Sequence, residues 1–455
     1  MTKYTIFIFR RDLRIYDNIA LNYAMTNCTN ILPIFIFTPE QISSKNNFKS
    51  DNAIQFMIES LKELDEDLKQ NSSKLHIFQG DNIKILRSII KNIDVENIIF
   101  NMDYTPYALK RDKEIEKLCE TNKINCIIKE DYLLNSIGTM LKKDGDPYTV
   151  FTPFKNNGLK FKVDKPSKIK IRNLSKSIKL KTNDYIKYKV NENILVNGGR
   201  DNGLKQLNKV KKQKKYNKDR NTLSIETSLL SAYIKFGCIS IREVYWKIKD
   251  KLGSGTDLLS QLFWREFYFY IAYYFPQVLK GKNYNEKYDD IKWNTSNSLF
   301  KKWCDGETGY PVVDAGMRQM NKTGYMHNRA RLITANFLNR MFGMDWRLGE
   351  KYYAQMLTDY DPSVNNGNWQ WIASTGVDPK PYFQRLFNPI LQSAKFDKEA
   401  EYIKEWIPEL RDVPAKDIHN WESKYIDYKD INYVKPVVEY KKARKESVEM
   451  YRKVL

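Results

Sequence analysis

Thirteen residues late in the chain combine several side-chain types that could do chemistry. Segment 359–371 reads D-Y-D-P-S-V-N-N-G-N-W-Q-W and holds two aspartates, an asparagine pair and two tryptophans. Pro362 and Gly367 interrupt regular structure in such patterns, so we predict a turn-rich loop held between helices. Aspartate and asparagine at this density are also ordinary turn formers and helix caps. Two indoles are unusual in a polar turn, which raises the question of what lies against the loop.

A second group of candidate residues lies in the segment Q-L-F-W-R-E-F-Y, residues 261–268. On a helix, Gln261, Trp264, Arg265 and Tyr268 fall at positions i, i+3, i+4 and i+7 and share one face. An amide, an indole, a guanidinium and a phenol together suit a stacked and hydrogen-bonded base. The alternative is an aromatic core stripe, although glutamine and arginine are buried at low cost only with partners.

The segment M-H-N-R-A-R-L, residues 326–332, repeats this combination. Asn328, Arg331 and Leu332 lie on one helical face, and Arg331 can pair with an aspartate of segment 359–371. A carboxylate–guanidinium pair beside a negatively charged ring would tune the electronic properties of that ring. The alternative is a surface ion pair, which contributes less than ~1 kcal/mol.

A short hydroxyl-rich segment, T-S-L-L-S at 227–231, precedes the helical pattern A-Y-I-K-F-G. Hydroxyl groups and unpaired backbone N–H groups at a helix start form an anion site suited to a pyrophosphate. Simple N-capping by serine or threonine is the alternative explanation.

The charge balance points to a polyanionic partner. The chain has 455 residues and a formal net charge of +21. Codon bias of an AT-rich genome can account for part of the lysine excess, and the remainder favours nucleic acid. Residues 201–220 carry eight basic and two acidic side chains. That stretch is either a solvated helix face or a strip that contacts phosphates.

Other counts exclude several protein classes. Five scattered cysteines without a C-x-x-C motif and no visible signal peptide favour a reducing, intracellular compartment. No apolar run reaches ~18 residues, so we expect a soluble protein without a membrane span. Only three histidines occur, which argues against a histidine-rich metal site.

Hydrophobic periodicity predicts an α/β fold followed by a helical one. Short apolar runs predict strands at Tyr4–Phe9, Ile31–Phe37, Leu75–Phe78, Asn97–Asn101 and Asn125–Lys129. Amphipathic segments between them, such as Asn52–Gln70 and Thr105–Asn122, imply a doubly wound, Rossmann-like parallel sheet. No G-x-G-x-x-G follows the first strand, so an ordinary dinucleotide fingerprint is missing. Helical spacing recurs at 240–251, 256–275, 311–322, 326–341 and 348–358. We predict three parts: an α/β domain at 1–130, a linker at 131–205 and an all-α domain at 206–455.

Together these segments resemble the photolyase/cryptochrome flavoprotein family, most closely its class I cyclobutane pyrimidine dimer photolyases. The resemblance covers most of the chain. It rests on F-R-R-D-L-R-I-Y-D-N-I-A-L (9–21), T-S-L-L-S, W-R-E-F-Y, G-Y-P-V-V-D-A-G-M-R-Q-M-N-K-T-G-Y-M-H-N-R (309–329), D-W-R-L-G-E (345–350), N-N-G-N-W-Q-W-I-A-S-T-G (365–376) and F-N-P-I-L-Q-S-A-K-F-D (387–397).

The resemblance implies that the helical domain binds a U-shaped FAD, active in its reduced, anionic form. Asn365 would face the flavin N5, and Arg331 would pair with Asp359. The implied cofactor-binding residues are Tyr216, Thr227, Ser228, Leu229, Leu230, Ser231, Arg331, Asp359, Tyr360, Asp361 and Asn365. Trp369, Trp346 and Trp293 match the relay that carries an electron from the surface to photoexcited oxidised flavin. A second, antenna chromophore is possible in the family, and its identity stays open here.

The resemblance also implies UV-damaged DNA, double- or single-stranded, as the partner of a monomeric carbon–carbon lyase. Photoexcited reduced FAD would donate an electron to a flipped-out pyrimidine dimer, whose cyclobutane ring would then split. Trp264 and Trp371 would flank the lesion. The other implied DNA-binding residues are Arg220, Gln261, Arg265, Tyr268, Asn328, Arg329, Leu332 and Gln392.

Two departures leave alternatives open. Gln261 stands where class I dimer photolyases usually carry glutamate, and glutamine there is typical of (6-4) photolyases and animal cryptochromes. Leu332 stands where methionine is common. Asn328 argues against a (6-4) photolyase, because that group has histidine there. A cryptochrome-type light receptor without repair is the non-enzymatic alternative.

Overall fold

The N-terminal part of the molecule is a five-stranded, fully parallel sheet. The computed structural model describes residues 2–167, 169–176, 178, 180–377, 381–384 and 386–455. The strands are β1 (Tyr4–Phe9), β2 (Ile31–Phe37), β3 (His76–Gln79), β4 (Val95–Asn101) and β5 (Asn125–Lys129). Their order is β3-β2-β1-β4-β5, with parallel pairing throughout. This is the predicted doubly wound fold, and the order of the strands reverses between β1 and β4.

Helices cover the sheet because its central strands are apolar on both faces. Every residue of β2 is buried, as are five of the six residues of β1. The helices of this part are α1 (Ile19–Asn27), α2 (Pro39–Ile42), α3 (Asp51–Gln70), α4 (Asn82–Asn92) and α5 (Pro106–Asn122). Each predicted strand is present, with β3 shifted by one residue and β4 beginning two residues earlier than predicted.

The connecting region is more ordered than its polar sequence indicates. It contains α6 (Phe151–Gly158), and α7 (Arg200–Asn208) begins inside the predicted linker. Phe154 in the middle of α6 packs edge-on against the rings of Phe267 and Tyr270. The predicted domain bounds themselves stay a prediction.

Beyond Lys129, the described residues contain helices and only isolated β-bridges. The α-helices are α8 (Tyr216–Asp219), α9 (Ser231–Lys235), α10 (Ile241–Leu252), α11 (Asp257–Tyr274), α12 (Asn297–Asp305), α13 (Pro311–Thr323), α14 (Asn328–Asn336), α15 (Trp346–Met356), α16 (Pro362–Ala373), α17 (Pro389–Phe396), α18 (Glu401–Trp406), α19 (Ala415–His419), α20 (Trp421–Lys424) and α21 (Tyr440–Arg452). Short 3-10 helices lie at Lys209–Lys215, Pro276–Lys280, Glu286–Tyr288, Tyr382–Gln384, Pro408–Leu410 and Tyr425–Asp427, and a π-helical turn at Phe337–Met341 follows α14. The predicted all-helical second domain is confirmed.

The predicted turn-rich loop at 359–371 is wrong, because most of it forms α16. Pro362 is the first residue of this helix, where its missing N–H costs nothing and its fixed φ suits the helix. Asp361 caps the start by accepting hydrogen bonds from the backbone N–H groups of Ser363 and Val364, at 3.0 and 3.2 Å. Gly367 lies inside the helix, where any larger residue would clash, because the Tyr268 ring of α11 occupies the space that a Cβ atom would need. Proline and glycine therefore start and pack this helix instead of breaking it.

No helix of the described ranges is long and apolar enough to cross a bilayer. No group of three metal-ligating side chains occurs among those residues either.

Candidate functional site

Helix α16 starts on a carboxylate that also ties it to the sheet. Arg11, just after β1, forms an ion pair with Asp361, the cap of α16. The same guanidinium reaches Asp103 beyond β4, at 3.2 Å. Burial alone would lower the pKa of Arg11, but the two carboxylates raise it above its ordinary value. The switch point between β1 and β4 therefore faces the start of α16.

Lys235, at the end of α9, belongs to the same charged cluster. Its carbonyl accepts a hydrogen bond from Arg11 Nε at 3.3 Å, and its ammonium lies 3.6 Å from the centre of the Phe236 ring. Burial, reinforced by the charge of Arg11, lowers the pKa of Lys235 to about 7, although Asp361 and Asp359 favour the charged form. Arg11 and Lys235 were not among the predicted site residues. The available signal was a basic pair directly after the first strand.

The predicted pair of Arg331 and Asp359 is confirmed. Arg331 Nη2 donates to both carboxylate oxygens of Asp359, at 3.0 and 3.1 Å, and its Nε donates to the carbonyl of Met326 at 2.9 Å. The Asp359 side chain is only 5% exposed, so this pair is screened far less than a surface pair. It fixes the Arg331 guanidinium to the residue two positions before Asp361, the cap of α16.

The asparagine pair of α16 is held from behind by α15. Asn365 donates its amide to the carbonyl of Glu350 at 3.1 Å, which commits one N–H and leaves Oδ1 as an acceptor. Asn366 donates to the Glu350 carboxylate at 2.9 Å and to the Val278 carbonyl at 3.0 Å. Burial raises the pKa of Glu350 to about 7, although Asn366 favours the ionised form. Asn366 is therefore an interior support, and Asn365 is the one of the pair that can serve a ligand.

The hydroxyl-rich turn before α9 has an unusual backbone. Leu229 has a φ of 49°, in the left-handed region that non-glycine residues rarely adopt. Gln206 holds the turn by donating to the carbonyl of Ser228 at 2.9 Å. Such strain persists only where the surroundings enforce it, and it is common at ligand sites. Nearby Tyr216 is half-buried, and burial raises its pKa to about 12, which keeps its hydroxyl a neutral donor.

The three predicted relay tryptophans run from the interior towards the surface. Trp369 and Trp346 are buried, at 2% and 0% exposure, while Trp293 is half-buried beside Tyr451. Trp369 lies over Gly349 of α15, the helix that starts at Trp346. Trp346 is fixed by donating its indole N–H to Asn283 at 2.9 Å.

Trp264 stands where α11 meets the connecting region. Its ring stacks on Phe151 of α6, with the ring centres 3.6 Å apart and the planes within 7°. Tyr268, one turn further on, is only 3% exposed and packs against Gly367. The predicted DNA contact of Tyr268 is therefore not supported, because α16 covers that part of α11. Phe151 was missed because its polar, irregular surroundings gave no sign of a stacking partner.

The remaining predicted residues of α11 divide between two sides. Gln261 is half-buried and donates to the carbonyl of Asp257 within its own helix, at 3.2 Å. Arg220 pairs with Asp257 at 3.3 Å and so lies at the same end of α11. Arg265 instead donates to the carbonyl of Tyr132 at 2.7 Å, at the boundary with the sheet part. A DNA contact by Arg265 stays a prediction and would have to use its other N–H groups.

Helices α14 and α17 supply a further wall. Asn328 is exposed at the start of α14, and Leu332 is half-buried one turn later. Arg329 donates to the side chain of Asn221 at 2.7 Å and lies over the ring of Phe396. Gln392 of α17 has a buried Oε1 without a hydrogen-bond partner among the described residues.

Known protein families and relatives match this sequence along most of its length. A family profile described as DNA photolyase matches residues 5–169, and one described as FAD binding domain of DNA photolyase matches residues 258–453. The deoxyribodipyrimidine photo-lyase of Escherichia coli is 34% identical over 97% of both chains. The chain belongs to the DNA photolyase family.

Solved structures of the photolyase family agree with this assignment. An archaeal photolyase from Sulfolobus tokodaii, solved with two FAD molecules, is 39% identical, with a TM-score of 0.84 over 99% of this chain and 100% of its own. A class III photolyase from Agrobacterium tumefaciens is 30% identical, with a TM-score of 0.91 over 100% and 98%. A Synechocystis cryptochrome is 25% identical, with a TM-score of 0.87 over 100% and 99%.

The residues present fit the FAD that the family binds. Two buried polar atoms on α16, the Trp369 Nε1 and the Ser363 Oγ, have no partner among the described residues. The strained turn at Leu229 and the neutral phenol of Tyr216 offer donors for phosphates. The guanidinium of Arg331, fixed by Asp359, offers a positive charge for a reduced ring. Each is a donor that FAD could use.

Proposed function

We propose that this photolyase-family chain repairs cyclobutane pyrimidine dimers in UV-damaged DNA under light. The observation that carries the proposal is the placement of α16 between two sets of groups. Its buried start and inner face hold Asp361, Asn365 and Trp369, while Trp371, two positions later, is half-buried. Residues two apart on a helix point to different sides. One helix can therefore address the cofactor and the lesion at the same time.

FAD, when bound in its reduced, anionic form, would supply a photoexcited electron for the dimer. The chain's own residues do the rest. Tyr216 and the turn 227–231 would hold the phosphates, and Asp359, Tyr360 and Asp361 would hold the ribose and ring region. Arg331 would stabilise negative charge on the ring, because it is fixed by Asp359 and cannot swing away. Asn365 would present its Oδ1 to the N5 position, since its amide is committed to Glu350.

The DNA side would hold a flipped-out lesion between Trp264 and Trp371. Flipping costs a few kcal/mol, and less where damage has weakened pairing. Stacking of a base on an aromatic ring contributes about 1–3 kcal/mol of binding free energy, which offsets that cost. Phe151 covers one face of Trp264, and the Tyr268 ring centre lies 5.8 Å from that of Trp264 with the planes 30° apart. A base would therefore have to use the part of the indole that these two rings leave uncovered. Gln261, Asn328, Leu332 and Gln392 would border the pocket, while Arg220 and Arg329 would contact the backbone.

The relay of Trp369, Trp346 and Trp293 would reduce oxidised FAD before repair and would take no part in the repair reaction itself. It would deliver an electron from the partly exposed Trp293, through Trp346, to the buried Trp369 next to the cofactor. A protein that enters the reaction already reduced does not need it.

A (6-4) photolyase and a repair-free cryptochrome are the competing functions. Gln261 favours the first of them, and the likeness to the Synechocystis cryptochrome keeps the second open. A second, antenna chromophore, a monomeric state and an intracellular location also stay proposals. The two FAD molecules of the Sulfolobus tokodaii photolyase make a flavin one candidate for the antenna.

One assay tests the function. Purified protein carrying prereduced FAD is mixed with oligonucleotides that contain either a thymine dimer or a (6-4) lesion, and each mixture is kept in blue light or in darkness. We expect light-dependent loss of the thymine dimer only. Repair of the (6-4) lesion alone would overturn the dimer assignment, and repair of neither would favour the cryptochrome function.

A further inference from the structure

A basic groove lies outside the predicted lesion pocket. The groove has a volume of about 620 Å³ and is lined by Lys214, Lys215, Asn217, Lys218, Lys251, Leu252, Gly255 and Thr256. We call it the lysine groove. One wall is the 3-10 helix Lys209–Lys215 with α8, and the other is the end of α10 with the loop to α11. Its lining contains four lysines and no acidic residue.

This concentration of charge differs from the parts of the chain in which lysines are mixed with acidic residues. Residues 209–218 contain six lysines and no acidic residue. Helix α3, by contrast, carries two lysines among six acidic residues, and its Lys69 lies within 3 Å of Asp65 and Glu66. None of the four groove lysines has a carboxylate within 4.0 Å in the described part of the chain, and all four are exposed. A uniform codon bias would add lysines everywhere, so it does not explain a local run without acids.

The groove is fixed to the helix that carries the predicted lesion pocket. Asn217 Oδ1 accepts a hydrogen bond from the backbone N–H of Asp257, at 2.8 Å, and so joins α8 to the first turn of α11. Thr256 is both a lining residue of the groove and the cap of α11. Arg220 pairs with Asp257 on the same turn, at 3.3 Å, which offsets the charge of that carboxylate. The backbone of both walls is therefore attached to the helix that carries Trp264.

The spacing along α11 suits a nucleic-acid strand. Gln261 lies five residues after Thr256, and Trp264 lies eight residues after it. At 1.5 Å per residue, these separations are about 8 and 12 Å along the helix axis. A DNA strand has one phosphate per 3.4 Å of duplex axis, so these distances correspond to roughly two to four nucleotides. Lysine ammonium groups bind phosphates as point charges without reading the base.

We infer that the lysine groove binds the phosphates of the DNA strand two to four nucleotides from the lesion. This inference rests on the proposed function and extends its DNA contacts beyond the pocket. The groove would add affinity that is independent of damage, while the pocket residues would supply the preference for the lesion. Each lysine that neutralises a phosphate releases counterions, so binding should depend on salt more steeply than the pocket alone requires.

The test replaces the four groove lysines by glutamine in the full chain: Lys214→Gln, Lys215→Gln, Lys218→Gln and Lys251→Gln. Affinity for duplexes with and without a thymine dimer is measured by fluorescence anisotropy between about 50 and 200 mM salt. We expect the slope of log affinity against log salt to fall by about 3 to 4. Both duplexes should be weakened by the same factor, with light-driven repair at saturating DNA unchanged.

A matched control removes the same charge elsewhere. Lys84, Lys91, Lys113 and Lys117 are exposed on α4 and α5 of the sheet part, and their replacement by glutamine lowers the net charge equally. An equal fall in slope for both variants would overturn the inference, because the effect would then be one of net charge. An unchanged slope in the groove variant would overturn it too.

The inference and the proposed function can fail separately. Wild-type protein that binds damaged and undamaged duplexes equally, and repairs neither lesion, would contradict the function. The slopes measured on undamaged DNA would still decide whether the lysine groove contacts phosphates.

Discussion

Two sets of tryptophans in the helical region differ in their environment. Trp303, Trp346 and Trp369, here called the interior tryptophans, are at most 2% exposed and belong, with Trp421, to one hydrophobic cluster. The pocket tryptophans, Trp264 and Trp371, are half-buried. All nine tryptophans of the chain lie after residue 245, so the sheet part contains none.

The same residue type is therefore expected to serve two roles, electron transfer where it is buried and base stacking where it is partly exposed. A buried indole is shielded from water and held rigidly, as Trp346 is by Asn283, which suits a group that passes electrons. An indole that binds a base needs one open face and support behind it, which Phe151 gives to Trp264. Helix α16 carries one member of each group, Trp369 and Trp371.

The largest expected effect tests the interior group. Trp369→Phe should abolish most photoreduction of oxidised FAD, because phenylalanine is far harder to oxidise, while prereduced protein should repair at nearly the wild-type rate. Absorbance under blue light with an external reductant measures the first, and the dimer assay measures the second.

The matched control for that variant is Trp303→Phe. The Trp303 ring centre lies 6.2 Å from that of Trp369, yet Trp303 is not part of the predicted relay. It should photoreduce like wild type. Equal slowing in both variants would mean that general packing around Trp369, rather than the relay, is being measured.

An intermediate effect tests the pocket group. Trp264→Ala should weaken binding to dimer-containing DNA by ~1–3 kcal/mol, or roughly 5- to 150-fold, because the stacking surface is lost. Binding to undamaged duplex should change little, and photoreduction should be retained. Trp264→Phe, which keeps an aromatic face, should recover much of the affinity. Undiminished lesion affinity in the alanine variant would remove Trp264 from the pocket.

The smallest expected effect concerns the polar support behind α16. Burial raises the pKa of Glu350 from its ordinary value of 4.5 to about 7 in the folded protein. A raised pKa means that the folded state holds a proton that the unfolded state has lost. The associated stability is therefore complete below pH 4.5 and is lost as pH rises through 7. At 1.36 kcal/mol per pKa unit, the loss is on the order of 3 kcal/mol.

Glu350→Gln should remove that dependence. Thermal unfolding between pH 5 and pH 8 should show a flatter decline of Tm in the variant than in wild type. Burial also raises the pKa of Glu266 to about 7, but Glu266 is present in both proteins, so the difference between them isolates Glu350. Parallel Tm profiles would show that Glu350 is ionised throughout this range.

Much of the fold could be predicted because local patterns determine it. Strands β1 and β2 are apolar on both faces, and no other element type explains such short runs. Helix α16 was missed because proline and glycine were interpreted by their usual effect. Whether Pro362 starts a helix depends on the cap at Asp361, and whether Gly367 fits depends on the ring of Tyr268, which lies about 100 residues away in the sequence.

The site was predictable where complementary charge or the family resemblance linked the residues. The Arg331–Asp359 pair followed from complementary charge, and the three relay tryptophans followed from the family resemblance. Contacts between distant segments were not predictable from spacing. Arg11 lies 350 positions from Asp361, and Phe151 lies 113 positions from Trp264. The burial of Tyr268 likewise depends on how closely α16 approaches α11.

The ion pair of Arg11 and Asp361 constrains how this protein can be recombined with its relatives. Asp361 caps α16 through one oxygen, and its second oxygen forms an ion pair with Arg11, a side chain from the first fifteen residues. A chimera that takes its sheet from one relative and its helices from another must therefore inherit both partners together. If the sheet were exchanged without an arginine at this place, a buried carboxylate would lose its counter-charge, and such losses typically cost several kcal/mol. The expected symptom is weak retention of cofactor in an otherwise folded hybrid.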